Sequence, residues 1–256
     1  MGRTLFITGT GTDVGKTALS LAVLFWARKR GLSAAYHKPI QCGTFRFGEP
    51  PVEGGDADWI RAMAARPPSY GTPSSRTGAG REASDVTYRL RLAASPHLAA
   101  EKEDISIDLG RIRRDIEALA DWHDLVIVEG AGGPAVPVDR KGATLGALAA
   151  EMSLPALIAC APGLGTLHHT LCTLAYLKSI GAPVAGFAFC HREAQIPELC
   201  RDNIDTLVSL TGLPFFGELA FSGKLYRSET LGLDEADLWS APLAASLEAW
   251  WNPERK

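Results

Sequence analysis

Short apolar runs rich in β-branched residues alternate along the chain with longer stretches of helical periodicity. The runs occupy residues 4–8, 34–36, 125–128, 156–160, 184–189 and 215–216, and helical patterns fill 17–30, 56–65, 109–120, 144–152, 166–180 and 196–210. Strands separated by helix-length segments predict parallel β-α-β units. Runs such as LVIV (125–128) and FAF (187–189) are apolar at consecutive positions, as strands covered on both faces are. The expectation is one doubly wound α/β domain spanning 1–256, its mostly parallel sheet carrying helices on both faces. Residues 67–84 (PPSYGTPSSRTGAGREAS) break the pattern. Rich in Pro, Gly and Ser, they offer little to bury and read as a flexible surface insertion. A tail with acidic residues and a helix-like segment ending at Trp250 and Trp251 closes the chain, and no internal repeat occurs.

Composition narrows the partners. The formal net charge is −3, from 26 basic and 29 acidic residues, so no overall positive field points to nucleic acid or an anionic membrane surface. The five cysteines are odd in number and contain no CxxC pair, which suggests neither a disulfide framework nor a thiolate zinc site and suits a reducing cytoplasm. The start, MGRTLFITG, lacks a secretory pattern, and Glu151 and Pro155 interrupt the most apolar stretch, so a soluble cytoplasmic protein with a small-molecule partner is expected.

The strongest chemical signal is GTGTDVGKT at residues 9–17, between the first predicted strand and the first predicted helix. It resembles a P-loop and implies a P-loop NTPase-like fold. Small residues let backbone N–H groups wrap a phosphate, and the helix N-terminus adds positive potential. Lys16 neutralises charge and Thr17 offers a hydroxyl to magnesium. The common pattern has glycine six residues before the lysine; here Thr10 stands there and Gly9 one further back, so the loop is one residue longer. A second signal is VEGAGG (128–133), where an apolar strand ends in Glu129 and then in glycines. An acidic residue at that strand end helps hold magnesium in P-loop proteins.

Five motifs in order, GTGTDVGKT (9–17), YHKP (36–39), GDA (55–57), SPHLAA (95–100) and VEGAGG (128–133), resemble those of the dethiobiotin synthetases. The resemblance covers residues 4 to about 217. It implies Mg2+- and ATP-dependent closure of 7,8-diaminononanoate with CO2 to dethiobiotin, ADP and phosphate, a step of biotin synthesis, by a homodimer. In that chemistry an amine captures CO2 as a carbamate, the carbamate oxygen attacks the γ-phosphate to form a mixed carbamic-phosphoric anhydride and release ADP, and the second amine closes the ring and expels phosphate. Carbamate and triphosphate repel each other unless cations lie between them.

By resemblance, Lys16, Lys38 and Thr12 are the catalytic residues, Lys38 and Thr12 reaching the carbamate. Thr17, Asp56 and Glu129 are the magnesium ligands, with Asp58 a rival to Asp56. Nucleotide contacts are implied for Gly11, Thr12, Asp13, Val14, Gly15, Lys16, Thr17, Asp56, Glu129, Gly130, Ala131, Gly132, Cys190 and Ala220. Substrate contacts are implied for Thr12, Lys38 and Cys42, and for Gly165, Thr166, Leu167 and His168 in GLGTLHH (163–169). Those four residues open a helix where the substrate's carboxylate tail binds, partly from the partner subunit. The chain departs from the family at Cys42, where many members carry serine, at Cys190, where an asparagine usually reads adenine, and at GELA (217–220), where proline usually ends the segment. Two other P-loop classes compete. A corrinoid-type amidoligase normally carries a fused glutaminase domain, and a partition or switch ATPase carries an extra lysine where this chain has Gly11.

Overall fold

The computed structural model describes residues 1–45, 55–58, 60, 86–220 and 240–253. Its elements are β1 (Arg3–Gly9), α1 (Lys16–Lys29), β2 (Ala34–Phe45), β3 (Val86–Leu92), α2 (Pro96–Lys102), α3 (Leu109–Trp122), β4 (Leu125–Glu129), α4 (Leu145–Glu151), β5 (Ala156–Cys160), α5 (Thr166–Ser179), β6 (Val184–Cys190), α6 (Pro197–Thr211), β7 (Phe215–Leu219) and α7 (Ala241–Trp251). The seven strands form one sheet in the order β3-β2-β4-β1-β5-β6-β7, and every neighbouring pair is parallel. The chain leaves β1 toward β2 on one side and leaves β4 toward β5 on the other. The carboxyl ends of β1 and β4 therefore flank the point where the winding reverses, which is where open α/β sheets place their ligands.

Period-two alternation sorts the strand side chains onto two faces. Leu5, Ile7, Leu125, Ile127, Leu157 and Ala159 pack with α1 and with Leu243 and Leu247 of α7. Phe6, Val126, Val128, Ile158, Phe187 and Phe189 meet α2 to α6 on the other face. α1 is covered by the sheet and by α7, so eleven of its residues are buried, and it reads as apolar on nearly every side. Arg3 fastens α7 through Nη1 to the Trp251 carbonyl at 2.6 Å, and Arg30 pairs with Glu248. Where helix ends need caps the sequence supplies them: Asp108 accepts from the Gly110 N–H at 2.7 Å, and Thr144 Oγ1 accepts from the Ala147 N–H at 2.9 Å.

The expected parallel α/β architecture is present, with three differences in detail. β2 runs to Phe45 instead of stopping near Tyr36, because Lys38, Gln41 and Cys42 interrupt its apolar run. Pro39 is tolerated inside it because the ladder to β4 ends at His37 paired with Val128. β3 and α2 are not among the elements read from the sequence. β3 is an edge strand whose exposed Arg89 and Arg91 dilute its apolar content. Of the helix expected over 56–65, only 56–58 and 60 are described, and they are helical; the insertion at 67–84 lies outside the described residues. Among the described residues, no helix is long and apolar enough to cross a membrane.

Candidate active site

Alternation along β4 places Leu125, Ile127 and Glu129 on the face that α1 covers, so the Glu129 carboxylate meets the first turns of that helix. Thr17 and Ser20, three residues apart on one helix face, both reach it: Thr17 Oγ1 donates to Oε1 at 2.9 Å and Ser20 Oγ to Oε2 at 2.8 Å. From β2, which pairs with β4, Tyr36 OH donates to Oε2 at 3.0 Å and Lys38 Nζ to Oε1 at 2.8 Å. Glu129 is 0% exposed, and these four donors satisfy a carboxylate that would otherwise be costly to bury. Lys38 Nζ also pairs with Asp56 Oδ2, so one ammonium bridges two carboxylates. Asp58, the neighbouring acid, instead forms a two-bond pair with Arg89 at 2.8 and 3.0 Å and accepts from the Gly55 N–H.

The P-loop closes the other side. Asp13 and Gly15 both have positive φ, 59° and 93°, and Gly15 caps α1 in the left-handed region that glycine adopts without strain. A Cβ on Gly15 would run into the Cβ of Cys190 at the end of β6. Lys16 Nζ donates to the Gly11 carbonyl at 2.8 Å, folding the side chain back over the loop. Burial pulls the Lys16 pKa below its ordinary value, the Glu129 carboxylate opposing and the nearby Lys38 charge adding to the fall. For Lys38, burial also acts downward, but the charges of Glu129 and Asp56 and their hydrogen bonds outweigh it, and the net shift is upward. Two ammonium groups and two carboxylates thus share one partly dry pocket, and their charges balance.

Over this network opens a cavity of about 730 Å³. It gathers Thr12, Asp13, Gly15, Lys16, Thr17, Lys38, Cys42, Asp56, Glu129, Ala131 and Gly132 from the residues expected at the site, and adds Ile40, Ala93, Ser95, Pro96, Val136 and Arg192. One part of the wall carries the charged groups, and another, around Ile40, Ala93, Ala94, Pro96 and Val136, is largely apolar. The Cys42 thiol is held protonated, burial raising its pKa to about 11 against the opposing Lys38 charge.

Other expected site residues lie away from the lining. Gly11 contributes its carbonyl to Lys16, and Gly130 N–H continues the β4 ladder to Ile7 at 2.9 Å. Val14 packs against the core beneath the loop. Cys190 is 1% exposed and sits under Gly15 on the α1 face, so its side chain does not face the cavity as a base-reading asparagine would. Its neighbours His191 and Glu218 pair at 2.7 Å across the ends of β6 and β7, and Ala220 follows, exposed, after β7. Gly165, Thr166, Leu167 and His168 start α5 and are absent from the cavity lining; exposed His168 lies 3.7 Å from the Cys172 sulfur.

Ser20, Tyr36 and Arg192 were not assigned roles from the sequence. Ser20 had a usable signal, a small polar residue among apolar ones in α1, one turn after Lys16. Tyr36 stands two residues before Lys38 and so shares its face of β2. Arg192 follows the end of β6, the region where ligands collect, and its guanidinium lies 3.9 Å from the Asp13 carboxylate.

A family model described as an AAA domain matches residues 3–228. The ATP-dependent dethiobiotin synthetase BioD of Geobacillus sp. (strain WCH70) is 32% identical over 238 residues, covering 92% of this chain and 92% of its own length. That of Clostridium acetobutylicum is 30% identical over 252 residues, covering 96% and 98%. That of Novosphingobium aromaticivorans is 35% identical over 221 residues, covering 86% and 89%. Among solved structures, the cell division ATPase MinD of Pyrococcus furiosus superposes with a TM-score of 0.54 at 16% identity, covering 97% of this chain and 99% of that one. A ParA family ATPase from Chlorobium tepidum TLS gives 0.52 at 14% identity, covering 98% of each. At such identities these two share the fold of this chain.

Proposed function

Because the chain belongs to the ATP-dependent dethiobiotin synthetase family, we propose that its cavity carboxylates and closes 7,8-diaminononanoate at the expense of ATP. It is an ATP-dependent ligase of biotin biosynthesis. The observation that carries the mechanism is the convergence of Lys16 and Lys38, from the P-loop and the middle of β2, on one cavity with the Thr17, Asp56 and Glu129 oxygens.

The P-loop amides from Gly11 to Thr17 and the start of α1 cradle the triphosphate, and Lys16 leaves the Gly11 carbonyl to neutralise it. Lys38 and Thr12 hold the carbamate where its oxygen lies in line with the γ-phosphorus. The apolar wall takes the substrate's aliphatic chain and keeps water from the mixed anhydride. Thr17, Asp56 and Glu129 present only hard oxygen donors, with Thr17 and Glu129 already 2.9 Å apart, a set that suits magnesium and leaves room for phosphate oxygens and water. Bound there, Mg2+ would neutralise charge on the β- and γ-phosphate oxygens. Gly165, Thr166, Leu167 and His168 lie outside the cavity of their own subunit. We therefore assign them to the carboxylate tail of substrate held mainly by the partner subunit in a homodimer, which the mass of the protein in solution tests. The working place is the cytoplasm, where the five free thiols stay reduced. The base lies toward the carboxyl ends of β6 and β7, beside Cys190 and Ala220, and comparing ATP, GTP and CTP as donors measures how strongly it is read.

The deciding experiment mixes purified protein with MgATP and bicarbonate, with and without the diamine. Phosphate is released only when the diamine is present and equals the dethiobiotin formed. Turnover without diamine would instead assign the chain to the switch-type ATPases whose fold it shares.

A further inference from the structure

Glu129 divides its two oxygens between two kinds of partner. Oε2 accepts from Ser20 and Tyr36, buried hydroxyls outside the cavity lining. Oε1 accepts from Thr17 and Lys38, both of which line the cavity. An ionised carboxylate offers about two acceptor sites per oxygen, so both oxygens are filled. A divalent cation reaches Oε1 only if one of its partners yields. Thr17 can turn its hydroxyl and present a lone pair, whereas the Lys38 ammonium has donors only and repels a cation. The same ammonium pairs with Asp56, the other acidic ligand assigned above.

We propose that Lys38 is the resident cation of the metal site when nucleotide is absent, and that a divalent metal and the Lys38 ammonium exchange on Glu129 Oε1 and Asp56. This rests on the assignment of Thr17, Asp56 and Glu129 as metal ligands. Two carboxylates this close repel each other, and the fully buried Glu129 lacks water to offset that repulsion, unless a positive charge stands between them. Lys38 supplies that charge and keeps both acids aimed at one point, while Ser20 and Tyr36 fix the far side of Glu129. A metal that arrives with the triphosphate displaces the ammonium because phosphate oxygens complete its coordination. Lys38, anchored on β2, then swings its Nζ into the cavity that the anionic substrate enters. Metal alone lacks that help and binds weakly, because it must first displace a well-paired ammonium.

The test reads metal binding directly, with Mn2+ as probe and no nucleotide. Free Mn2+ is followed by electron paramagnetic resonance, together with the metal-dependent rise in Tm, in wild type, Lys38→Met and Lys38→Arg. Removing the competing charge should tighten Mn2+ binding on the order of tenfold or more in Lys38→Met and enlarge its Tm rise. Lys38→Arg, which keeps the cation, should bind no tighter than wild type. Equal or weaker binding by Lys38→Met overturns the exchange. If that variant folds only with metal, recovery of the folded state on adding Mn2+ supports the proposal, and failure to recover contradicts it. Asp56→Asn and Glu129→Gln, assayed with Mn2+ and a non-hydrolysable ATP analogue, separate the two levels. Wild-type affinity in both would remove the ligand assignment itself, whereas their loss of binding without any gain in Lys38→Met would remove the exchange alone.

Discussion

Glu129 closes β4 and Glu218 lies near the end of β7, two glutamates at carboxyl ends of one parallel sheet, each paired with a basic side chain. Their surroundings differ. Glu129 is fully buried, takes four hydrogen bonds and shares Lys38 with Asp56. Glu218 has a side chain 40% exposed and pairs with His191 at 2.7 Å. A carboxylate out of water is held by its partners and holds them in turn, so its geometry is fixed before any ligand arrives; one at the rim is solvated in every conformation. The buried glutamate, at the site proposed above, is therefore the one around which each substitution is felt.

Glu129→Ala gives the sharpest test of this contrast. It takes one of its two carboxylate partners from Lys38 and the acceptor from two buried hydroxyls, and breaking a buried charge pair from one side typically costs about 3–5 kcal/mol. Urea denaturation near neutral pH should show that loss, together with a kcat/KM for dethiobiotin formation lowered by ~100-fold or more. A stability change below about 1 kcal/mol would mean that water solvates Glu129 and that the network is not a dry one.

Gly15 and Cys190 join the two ends, since the P-loop rests on the tip of β6. Gly15→Ala should destabilise by about 2–4 kcal/mol, combining a left-handed backbone with a Cβ driven into Cys190. Adding Cys190→Gly should restore the steric part and leave the backbone part. Full recovery in that double variant would show that φ of 93° carries no strain at this position.

How much of this was legible in the sequence follows the same divide. The P-loop, Lys38 and Glu129 stand in motifs because their positions are set by the cap of α1, the alternation of β4 and the register of β2, all local rules. Asp56 reaches the site from a helical turn next to residues outside those described, and only proximity to a matching motif singled it out from Asp58. What sequence could not show is what depends on three dimensions. β3 pairs with β2 only after a long excursion of the chain, and Ser20 and Tyr36 matter through an oxygen 109 and 93 residues away. Cys190 is the instructive case: expected by resemblance near the base, it is turned by the two-residue period of β6 onto the α1 face and buried under Gly15. Strand parity, which a motif does not encode, decided its direction.

That burial has a pH signature. Burial pushes the Cys190 thiol pKa well above its ordinary value, and that of Cys160 to about 12. An unfolded thiol ionises near 8.5, so the folded state binds the extra proton above that pH. For a group whose folded pKa is raised, the stabilisation is complete below the unfolded pKa and is lost as pH rises toward the folded one. Stability should fall from about pH 8.5 upward, each such thiol contributing at most about 1.4 kcal/mol per pH unit. Cys190→Ala should flatten that fall between pH 8.5 and 10, followed by urea midpoints at each pH. An unchanged slope would place the thiol in contact with water.

Glu218→Ala should have the smallest effect. The His191 ring is mostly covered, with a side chain 14% exposed, but its backbone N–H is already tied to the Leu219 carbonyl at 3.0 Å, so the ends of β6 and β7 stay paired without the carboxylate. A half-exposed surface pair contributes about 0–1 kcal/mol, and the solvated Glu218 loses little by removal. Urea denaturation should therefore show a change below about 1 kcal/mol, several times smaller than for Glu129→Ala, and the difference should shrink little with added salt because the larger effect is buried. If the two substitutions cost the same, burial is not what separates the two ends of the sheet, and the His191–Glu218 pair is as firmly built into the fold as the lysine network around Glu129.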